Sequence, residues 1–137
     1  MKRVGVIGAG AAGLLAGAFA ARGGCRTEII ERNEKAGKKL FLTGKGRCNI
    51  TNSADRDEFM KAVLHNGRFL YSAFDNFFND DIINIINAYG VKTKLERGGR
   101  YFPESDKSSD VIKALLAFTQ RSGADILLNS RVSSVEK

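Results

Sequence analysis

The chain is poor in the residues that mark metal and disulfide sites. Its 137 residues include one histidine, His65, and two cysteines, Cys25 and Cys48, which form neither a CxxC pair nor a zinc-ligand spacing. His65 lies between a predicted helix and an Asn-Gly pair, where we expect a surface or capping role rather than catalysis. No acid–base pair stands out in the sequence, so nothing here predicts a hydrolytic or metal centre.

Long apolar runs are also absent. No stretch reaches the length of a membrane-spanning segment. At the N-terminus, Lys2 and Arg3 precede only four residues before glycines begin, which is too short for the apolar part of a signal peptide. We therefore expect a soluble protein in the reducing environment of the cytoplasm.

The charge is one-sided, with 22 basic against 15 acidic residues and a net charge of +7. Nucleic-acid binding is one interpretation of such a charge, although the basic residues are dispersed, and we do not expect nucleic acid as the partner. Most of them fit a solvated basic face. The densest group could instead neutralise the diphosphate of a dinucleotide, and it consists of Lys35, Lys38, Lys39, Lys45 and Arg47.

The first thirty-one residues carry the strongest pattern in the chain. A short strand at 4–7 runs directly into Gly8-Ala9-Gly10-Ala11-Ala12-Gly13, and an alanine-rich helix follows to Arg22. After Gly23-Gly24, a second strand at 27–31 ends on the carboxylate of Glu31. Strand, glycines, helix, strand and acidic residue arrive in the order of a dinucleotide-binding βαβ unit.

Each position of this fingerprint has a physical reason. Gly8 permits the tight turn, Gly10 lets a pyrophosphate approach the backbone, and Gly13 allows the helix to pack closely on the strands. The first helical turn, with Ala11 and Ala12, offers free N–H groups and a partial positive charge to the phosphates.

The second strand supplies the other half of the predicted site. The Glu31 carboxylate can accept hydrogen bonds from the two ribose hydroxyls of an adenosine, and it would repel a 2′-phosphate, which disfavours NADP here. Arg32 follows it directly and joins the candidate cofactor-binding residues. Gly17, one helical turn beyond Gly13, predicts tight packing of the helix on the sheet.

The rest of the chain predicts a parallel α/β fold with an inserted lobe. Residues 43–52 lack a helical or strand period, and we predict an ordered loop that could wrap a polar ligand. Further helices are predicted at about 55–64 (with Ser53 or Asp55 as its N-cap), 69–78, 80–89 (with Asn79 as its N-cap) and 109–122. A hairpin is predicted at 91–102, a strand at 125–128 and an extended piece at 130–135. The lobe spans about 53–104, and its aromatic cluster at 69–78 is expected to be core.

Two further motifs are specific. The first is Gly37-Lys38-Lys39-Leu40 followed by the run 43–52, TGKGRCNITN, and the second is Gly99-Arg100-Tyr101-Phe102-Pro103 followed by Ser105, Lys107, Ser109, Asp110 and Val111. With these motifs the chain resembles the N-terminal part of a bacterial flavoprotein family, the HI0933-like NAD(P)/FAD-dependent oxidoreductases. That family belongs to the glutathione-reductase-like FAD-binding superfamily.

The resemblance implies FAD as the cofactor and assigns it residues. Gly8, Gly10 and Gly13 would hold the diphosphate, Glu31 the ribose, and Lys39 would lie near both. Val132 resembles the valine whose backbone pairs with adenine. The loop along the cofactor towards the flavin would be Gly46, Arg47, Cys48 and Asn49. Arg47 could instead form a structural salt bridge, and Cys48 is expected to be a packed free thiol.

The resemblance also implies a larger protein. Family members are roughly three times this length, so we expect residues 1–137 to form a three-layer, Rossmann-like FAD-binding domain with the substrate domain absent. The expected function is that of an FAD-dependent oxidoreductase, with NAD(P)H as a possible electron donor. The alternative is a binding module without catalysis, or a truncated remnant. An exposed sheet edge predicts self-association.

Overall fold

A computed structural model describes all residues from 1 to 137, and its elements follow the order β-α-β, lobe, α-β. The strands are β1 (Arg3–Ile7), β2 (Arg26–Ile30), β3 (Thr51–Asn52), β4 (Thr93–Glu96), β5 (Arg100–Pro103) and β6 (Ala124–Leu127). The helices are α1 (Ala11–Arg22), α2 (Lys38–Leu42), α3 (Arg56–Lys61), α4 (Tyr71–Asn76), α5 (Asn79–Ala88) and α6 (Ser108–Arg121). Short 3-10 turns lie at Thr43–Gly46 and Gly67–Leu70.

Three strands form the parallel sheet in the order β1-β2-β6. Ile7 is paired in register with Ile30, and Ile30 with Leu127, so the three carboxyl ends meet at one edge. This confirms the three predicted strands: β1 begins one residue earlier than predicted and ends where predicted, while β2 and β6 both lie one residue earlier. Because β2 ends at Ile30, Glu31 is the first residue beyond the sheet, where ligands of open α/β sheets bind.

Helix α1 lies against the sheet at a distance that only glycine allows. A Cβ built on Gly13 would stand 1.9 Å from the backbone oxygen of Gly8, and one on Gly17 would stand 2.4 Å from Cδ1 of Ile29. Both distances are shorter than the contacts that real Cβ atoms make. The predicted close packing of this helix is therefore confirmed at two successive turns.

The core lies between the sheet and helices α1 and α6. Leu14 of α1, Ile29 of β2 and Leu115 of α6 are buried within one cluster, which is completed by Ala9, Cys48, Ile86, Val111 and Ala124. The buried hydroxyl of Thr119 donates to the carbonyl oxygens of Leu14 and Leu115, at 3.2 and 2.8 Å. This hydrogen bond ties the two helices together without leaving a buried polar atom unsatisfied.

A second, antiparallel sheet has the order β3-β5-β4. Strands β4 and β5 confirm the predicted hairpin. Strand β3 corrects the prediction that residues 43–52 are all loop, because Thr51 and Asn52 pair with Tyr101 and Arg100. Strand β3 forms only because β5 offers it an edge, so no local pattern marks it.

Asn79 does not cap its helix as predicted. The N-cap of α5 is Phe78, whose N–H donates to the carboxylate of Asp81 at 2.7 Å. The Asn79 side chain instead donates to the carbonyl oxygens of Asn52 and Ala54, both at 2.8 Å. It therefore fastens the end of β3 to α5.

The first two lobe helices, α3 and α4, are shorter than predicted. α3 is capped by Asp55, which accepts from the N–H of Glu58 at 2.9 Å, as the sequence suggests. The rings of Phe59, Phe74 and Phe78 contact one another at centroid distances of 5.1 to 5.4 Å, so most of the aromatic cluster is packed. Phe69 and Tyr71 are the exceptions, with 85% and 49% of their surfaces exposed.

The parallel sheet forms one layer, and α1 and α6 pack on it as the next. Helix α5 and the antiparallel sheet lie behind α6. None of the helices combines the length and apolar character that spanning a bilayer needs. The predicted extended piece at 130–135 is wrong as a strand, since no regular element follows β6.

We expect Gly13→Ala to destabilise the protein by about 1–3 kcal/mol, because its methyl group meets backbone that has nowhere to move. Gly17→Ala should cost less, since the Ile29 side chain can turn and alanine favours the helix. Urea unfolding of both variants measures this. Adding Ile29→Val, which removes Cδ1, should restore part of the Gly17→Ala loss and none of the Gly13→Ala loss. A Gly13→Ala protein as stable as the parent would contradict the packing.

Candidate functional site

A cleft of about 500 Å³ lies at the carboxyl ends of β1 and β2. Its lining comes from the glycine-rich turn, the residues that follow β2, the start of α2 and the segment after β6: Ile7, Gly8, Ala9, Gly10, Ile30, Glu31, Arg32, Asn33, Gly37, Lys38, Lys39, Ser130, Arg131 and Val132. This is the position at which open parallel sheets bind nucleotides.

The glycine-rich turn gives the cleft an open backbone floor. Gly8 has a φ of +97°, which a side chain would strain, so it makes the turn off β1 possible. Gly10 has an ordinary φ of −82°, and a Cβ there would meet no atom within 4 Å. Nothing in the chain itself requires glycine at position 10. The space that a side chain would fill is therefore available to a ligand.

Helix α1 begins beside this space without a cap. Its N-cap is Gly10, no side chain accepts a hydrogen bond from its first turn, and that turn holds no acidic residue. The N–H groups at the start of α1 and the positive end of the helix dipole therefore remain free for an anion.

The Glu31 carboxylate joins the two sides of the cleft. Its Oε2 accepts a hydrogen bond from the N–H of Ala9 at 2.8 Å. Its Oε1 accepts two from Asn33, one from the backbone N–H at 2.9 Å and one from Nδ2 at 2.7 Å. A carboxylate has about four acceptor positions, so this arrangement leaves one, on Oε2.

Only 8% of Glu31 is exposed. The hydrogen bonds from Ala9 and from the Asn33 backbone lower the pKa of this carboxyl below its ordinary value, against the opposing effect of burial. Glu31 is therefore ionised at neutral pH and unsuited to proton transfer there. Its charge and its open acceptor position suit a hydroxyl donor.

The remaining charges of the cleft are positive. Arg32, Lys38, Lys39 and Arg131 line it, and each has an exposed side chain. Lys38 also pairs with Glu34 at 3.1 Å. Four cations beside one carboxylate give the cleft a net positive field, which suits a ligand that carries a diphosphate.

The far wall is held in place by backbone hydrogen bonds. The N–H of Asn129 donates to the carbonyl oxygen of Asn33 at 3.0 Å, and the N–H of Ser130 to that of Glu31 at 2.9 Å. These bonds carry the chain past the end of β2 and bring Val132 to the cleft.

Six of the residues chosen from sequence line the cleft: Gly8, Gly10, Glu31, Arg32, Lys39 and Val132. Ala11, Ala12 and Gly13 form the first turn of α1 behind its floor. The other four, Gly46, Arg47, Cys48 and Asn49, lie outside the lining in the loop after α2. The structure therefore brings the first two groups together at one site and leaves the loop apart from it.

Arg47 takes part in a cluster of ions. Its guanidinium pairs with Glu96 and with Asp106, Nε to Oδ1 at 2.8 Å, and lies 4.1 Å from the ring centre of Phe102. Lys94 closes the cluster by donating to Asp106 at 2.7 Å. Of the two roles that the sequence left open, the structure shows the salt bridge.

Cys48 is buried, with 1% of its surface exposed, and it belongs to the hydrophobic core. Its backbone adopts a φ of +62° at the end of a turn in which Gly44, Lys45 and Gly46 are also left-handed. Burial raises the pKa of the thiol, which makes a reactive thiolate unfavourable. These observations agree with the expected packed free thiol.

The sequence reasoning missed Asn33, Gly37 and Arg131 of the cleft lining, and it considered Lys38 only for the neutralisation of a diphosphate. Gly37 has a φ of +74°, and its N–H donates to the carbonyl oxygen of Ala9 at 2.8 Å. Lys38 was available as part of the basic group noted above. Arg131 carries no local signal, because its place in the cleft depends on the fold bringing distant segments together. Asn33 lies only two residues from Glu31, but its residue type alone does not show that it donates to that carboxylate.

We expect Glu31→Gln to lower the free energy of unfolding by about 1–3 kcal/mol at neutral pH, since its amide cannot accept from all three N–H donors. Because folding lowers the pKa of Glu31, its carboxylate stabilises the protein above the ordinary range of glutamate, about pH 4.3, and this contribution is lost below it. The deficit of the variant should therefore shrink in urea titrations at about pH 3.5. A deficit independent of pH, or an equal one for the exposed Glu104→Gln, would contradict this role.

Known proteins match the whole of the chain. A family model described as the HI0933-like protein Rossmann domain matches residues 2–137. The chain is 34% identical to the 3-dehydro-bile acid delta(4,6)-reductase of Clostridium scindens, over 99% of this chain and 33% of that protein. It is 32% identical to the ribosomal RNA dihydrouridine synthase of Escherichia coli, over 96% of this chain and 32% of that protein. The chain thus spans about a third of the length of these curated relatives.

Solved structures share the fold at lower identity. The structure of THI4 from Thermovibrio ammonificans superposes with a TM-score of 0.61 at 17% identity, covering 93% of this chain and 38% of that one. The structure of BexE superposes with a TM-score of 0.56 at 19% identity, covering 100% and 26%. These similarities establish the α/β architecture. Because the family model matches nearly every residue, the chain belongs to the HI0933-like family of Rossmann domains.

Proposed function

We propose that this chain binds FAD and forms the cofactor-binding part of an FAD-dependent oxidoreductase. The observation that carries the proposal is the space in front of Gly10, which no atom of the chain fills, beside the uncapped start of α1. The adenosine diphosphate half of the cofactor would occupy the cleft. The proposal also draws on the resemblance of the TGKGRCNITN motif to flavoproteins.

The diphosphate would lie against Gly10 and the first turn of α1, with Ala11 and Ala12 supplying N–H groups. Lys39 and the other cations of the cleft would reduce the cost of bringing two negative charges to the protein. A backbone floor without side chains lets the phosphate oxygens reach N–H donors directly.

The adenosine would lie between Glu31 and the far wall. The open position on Oε2 of Glu31 would accept a ribose hydroxyl, while a 2′-phosphate would meet the same negative charge. Val132, which lies on the wall near Arg131, would offer its backbone to the adenine.

The loop residues Gly46 to Asn49 would extend the site towards the flavin. They do not line the cleft, but Arg47 attaches their loop to β4 through Glu96 and to the turn after β5 through Asp106. In this proposal Arg47 keeps the loop in shape, and the exposed Asn49 is the residue free to meet the cofactor.

Bound FAD would supply the redox chemistry, while the protein supplies binding and orientation. The lining contains one carboxylate, already committed to three hydrogen bonds, and no acid–base pair. Substrate contacts and proton transfer are therefore assigned to other parts of a longer protein. The two curated relatives are named for different substrates, a bile acid and ribosomal RNA, so the shared domain does not identify the substrate.

A binding module without catalysis is the second candidate, and it is favoured by the absence of an acid–base pair in the cleft. The two functions differ in one measurement. An oxidoreductase with FAD bound should oxidise NADH or NADPH in the presence of an electron acceptor, whereas a pure binding module should show no turnover above free FAD.

We expect the purified chain to retain FAD after incubation and desalting, because the groups proposed for the adenosine diphosphate half all lie within it. A visible absorption spectrum that keeps the flavin band would support the proposal. A colourless protein that is folded by circular dichroism and shows no calorimetric signal with ADP would contradict it.

Gly10→Ala tests the cleft without disturbing the fold, since its methyl group would stand in open space at a permitted φ. We expect the stability of the variant to be close to that of the parent protein and its affinity for FAD and ADP to fall tenfold or more, about 1.4 kcal/mol. Gly5→Ala is the matched control, because its Cβ also meets nothing within 4 Å but lies outside the cleft. Equal affinities in the two variants would exclude the diphosphate from this position.

A further inference from the structure

No role in the cleft was predicted for Asn33 from the sequence, yet its hydrogen bonds connect it to two parts of the site. Its backbone N–H and its Nδ2 both donate to Oε1 of Glu31, at 2.9 and 2.7 Å. Its carbonyl oxygen accepts from the N–H of Asn129 at 3.0 Å. One residue therefore contacts the carboxylate on one side and the far wall on the other.

The two donors of Asn33 decide which carboxylate oxygen remains available. Both acceptor positions of Oε1 are taken by Asn33, and one of those on Oε2 is taken by Ala9. The carboxylate is thereby fixed in rotation at both oxygens. A carboxylate held in one orientation loses less side-chain entropy when a ligand hydroxyl binds.

We propose that Asn33 is a positioning residue, which orients the Glu31 carboxylate so that its Oε2 meets a ribose hydroxyl of the nucleotide. This inference rests on the proposed function, since it assigns Asn33 a task in the same cleft. Asn33 also lines the cleft itself. It acts through Glu31 and not on the reacting part of a cofactor.

The residue type fits the task. Asparagine carries an amide donor on a short stem, which can reach back to the residue two positions earlier. Aspartate has the same shape but no donor, and it would place a second carboxylate against the first. The other charged groups that line the cleft are the cations Arg32, Lys38, Lys39 and Arg131, none of which hydrogen-bonds to Glu31, and the charge of Arg32 helps to lower the pKa of its carboxyl.

The ligand-free protein provides the first test. Urea unfolding is measured for Asn33→Ala, Asn33→Asp, Glu31→Gln and the two double variants, with the exposed Asn84→Asp as a matched control on α5. We expect Asn33→Asp to be the less stable of the two Asn33 variants, because of like charges. In the Glu31→Gln background the difference between them should largely disappear. Additive effects would overturn the positioning role, since additivity means that the two side chains do not act on each other.

The second test separates positioning from loss of structure. Binding of ADP and of 2′,3′-dideoxy-ADP is measured by calorimetry for the parent protein and for Asn33→Ala. We expect the variant to lose about tenfold in affinity for ADP, while its affinity for the dideoxy ligand, which has no ribose hydroxyl, stays within twofold. An equal loss for both ligands would overturn the proposal, because general loosening of the cleft does not depend on the hydroxyls.

The two proposals fail in different ways. If the parent protein binds neither ADP nor FAD, the proposed function is wrong, and with it the ribose contact assigned to Asn33. If the parent protein binds ADP, and if the parent and Asn33→Ala both prefer ADP over 2′,3′-dideoxy-ADP by the same factor, FAD binding stands and the positioning role is overturned.

Discussion

Ala9 is held by hydrogen bonds at both its N–H and its carbonyl oxygen, and the cleft depends on this restraint. Its N–H donates to Glu31 beyond β2, and its carbonyl oxygen accepts from Gly37 at the start of α2. Ala9 is completely buried, so neither group has water as an alternative partner. The glycine-rich turn, the residues after β2 and the start of α2 must therefore adopt their positions together. Gly13 adds a second restraint, because α1 can start where it does only if that residue has no side chain.

The molecule therefore has two parts, the edge of the parallel sheet that carries the cleft and the packed elements that hold this edge in place. The parallel sheet, α1 and α6 enclose the apolar core and fix the edge where the cleft opens. Helix α5 and the antiparallel sheet pack behind α6. In this sheet, β5 pairs with β3 on one side and with β4 on the other. The Arg47 cluster joins the loop after α2 to this second sheet. Charge is distributed in the same way: of the cleft cations only Lys38 forms an ion pair, with Glu34, whereas both cations of the cluster are paired.

The parts that could be predicted from sequence are those governed by neighbouring residues. The three parallel strands, the close packing of Gly13 and Gly17, the hairpin at β4–β5 and the Asp55 cap each follow from a local pattern. The errors occur where a distant partner decides. Strand β3 exists through its pairing with β5, and the side-chain amide of Asn79 donates to Asn52 instead of capping its helix. The role of Arg47, which the sequence left open, is decided by partners 49 and 59 residues further along the chain.

The sequence alone therefore determined the βαβ unit, because glycine spacing, apolar runs and one carboxylate act over a few residues and permit little else. It also determined that an acidic residue would end the second strand. Only the tertiary structure decided which hydrogen bonds that carboxylate accepts in the ligand-free protein. The fold brings Ala9 to Glu31, to which the nearby Asn33 also donates, and leaves a single acceptor position on Oε2. Hydrogen bonds need partners within about 3 Å, and such proximity between segments far apart in the chain exists only once the core has formed.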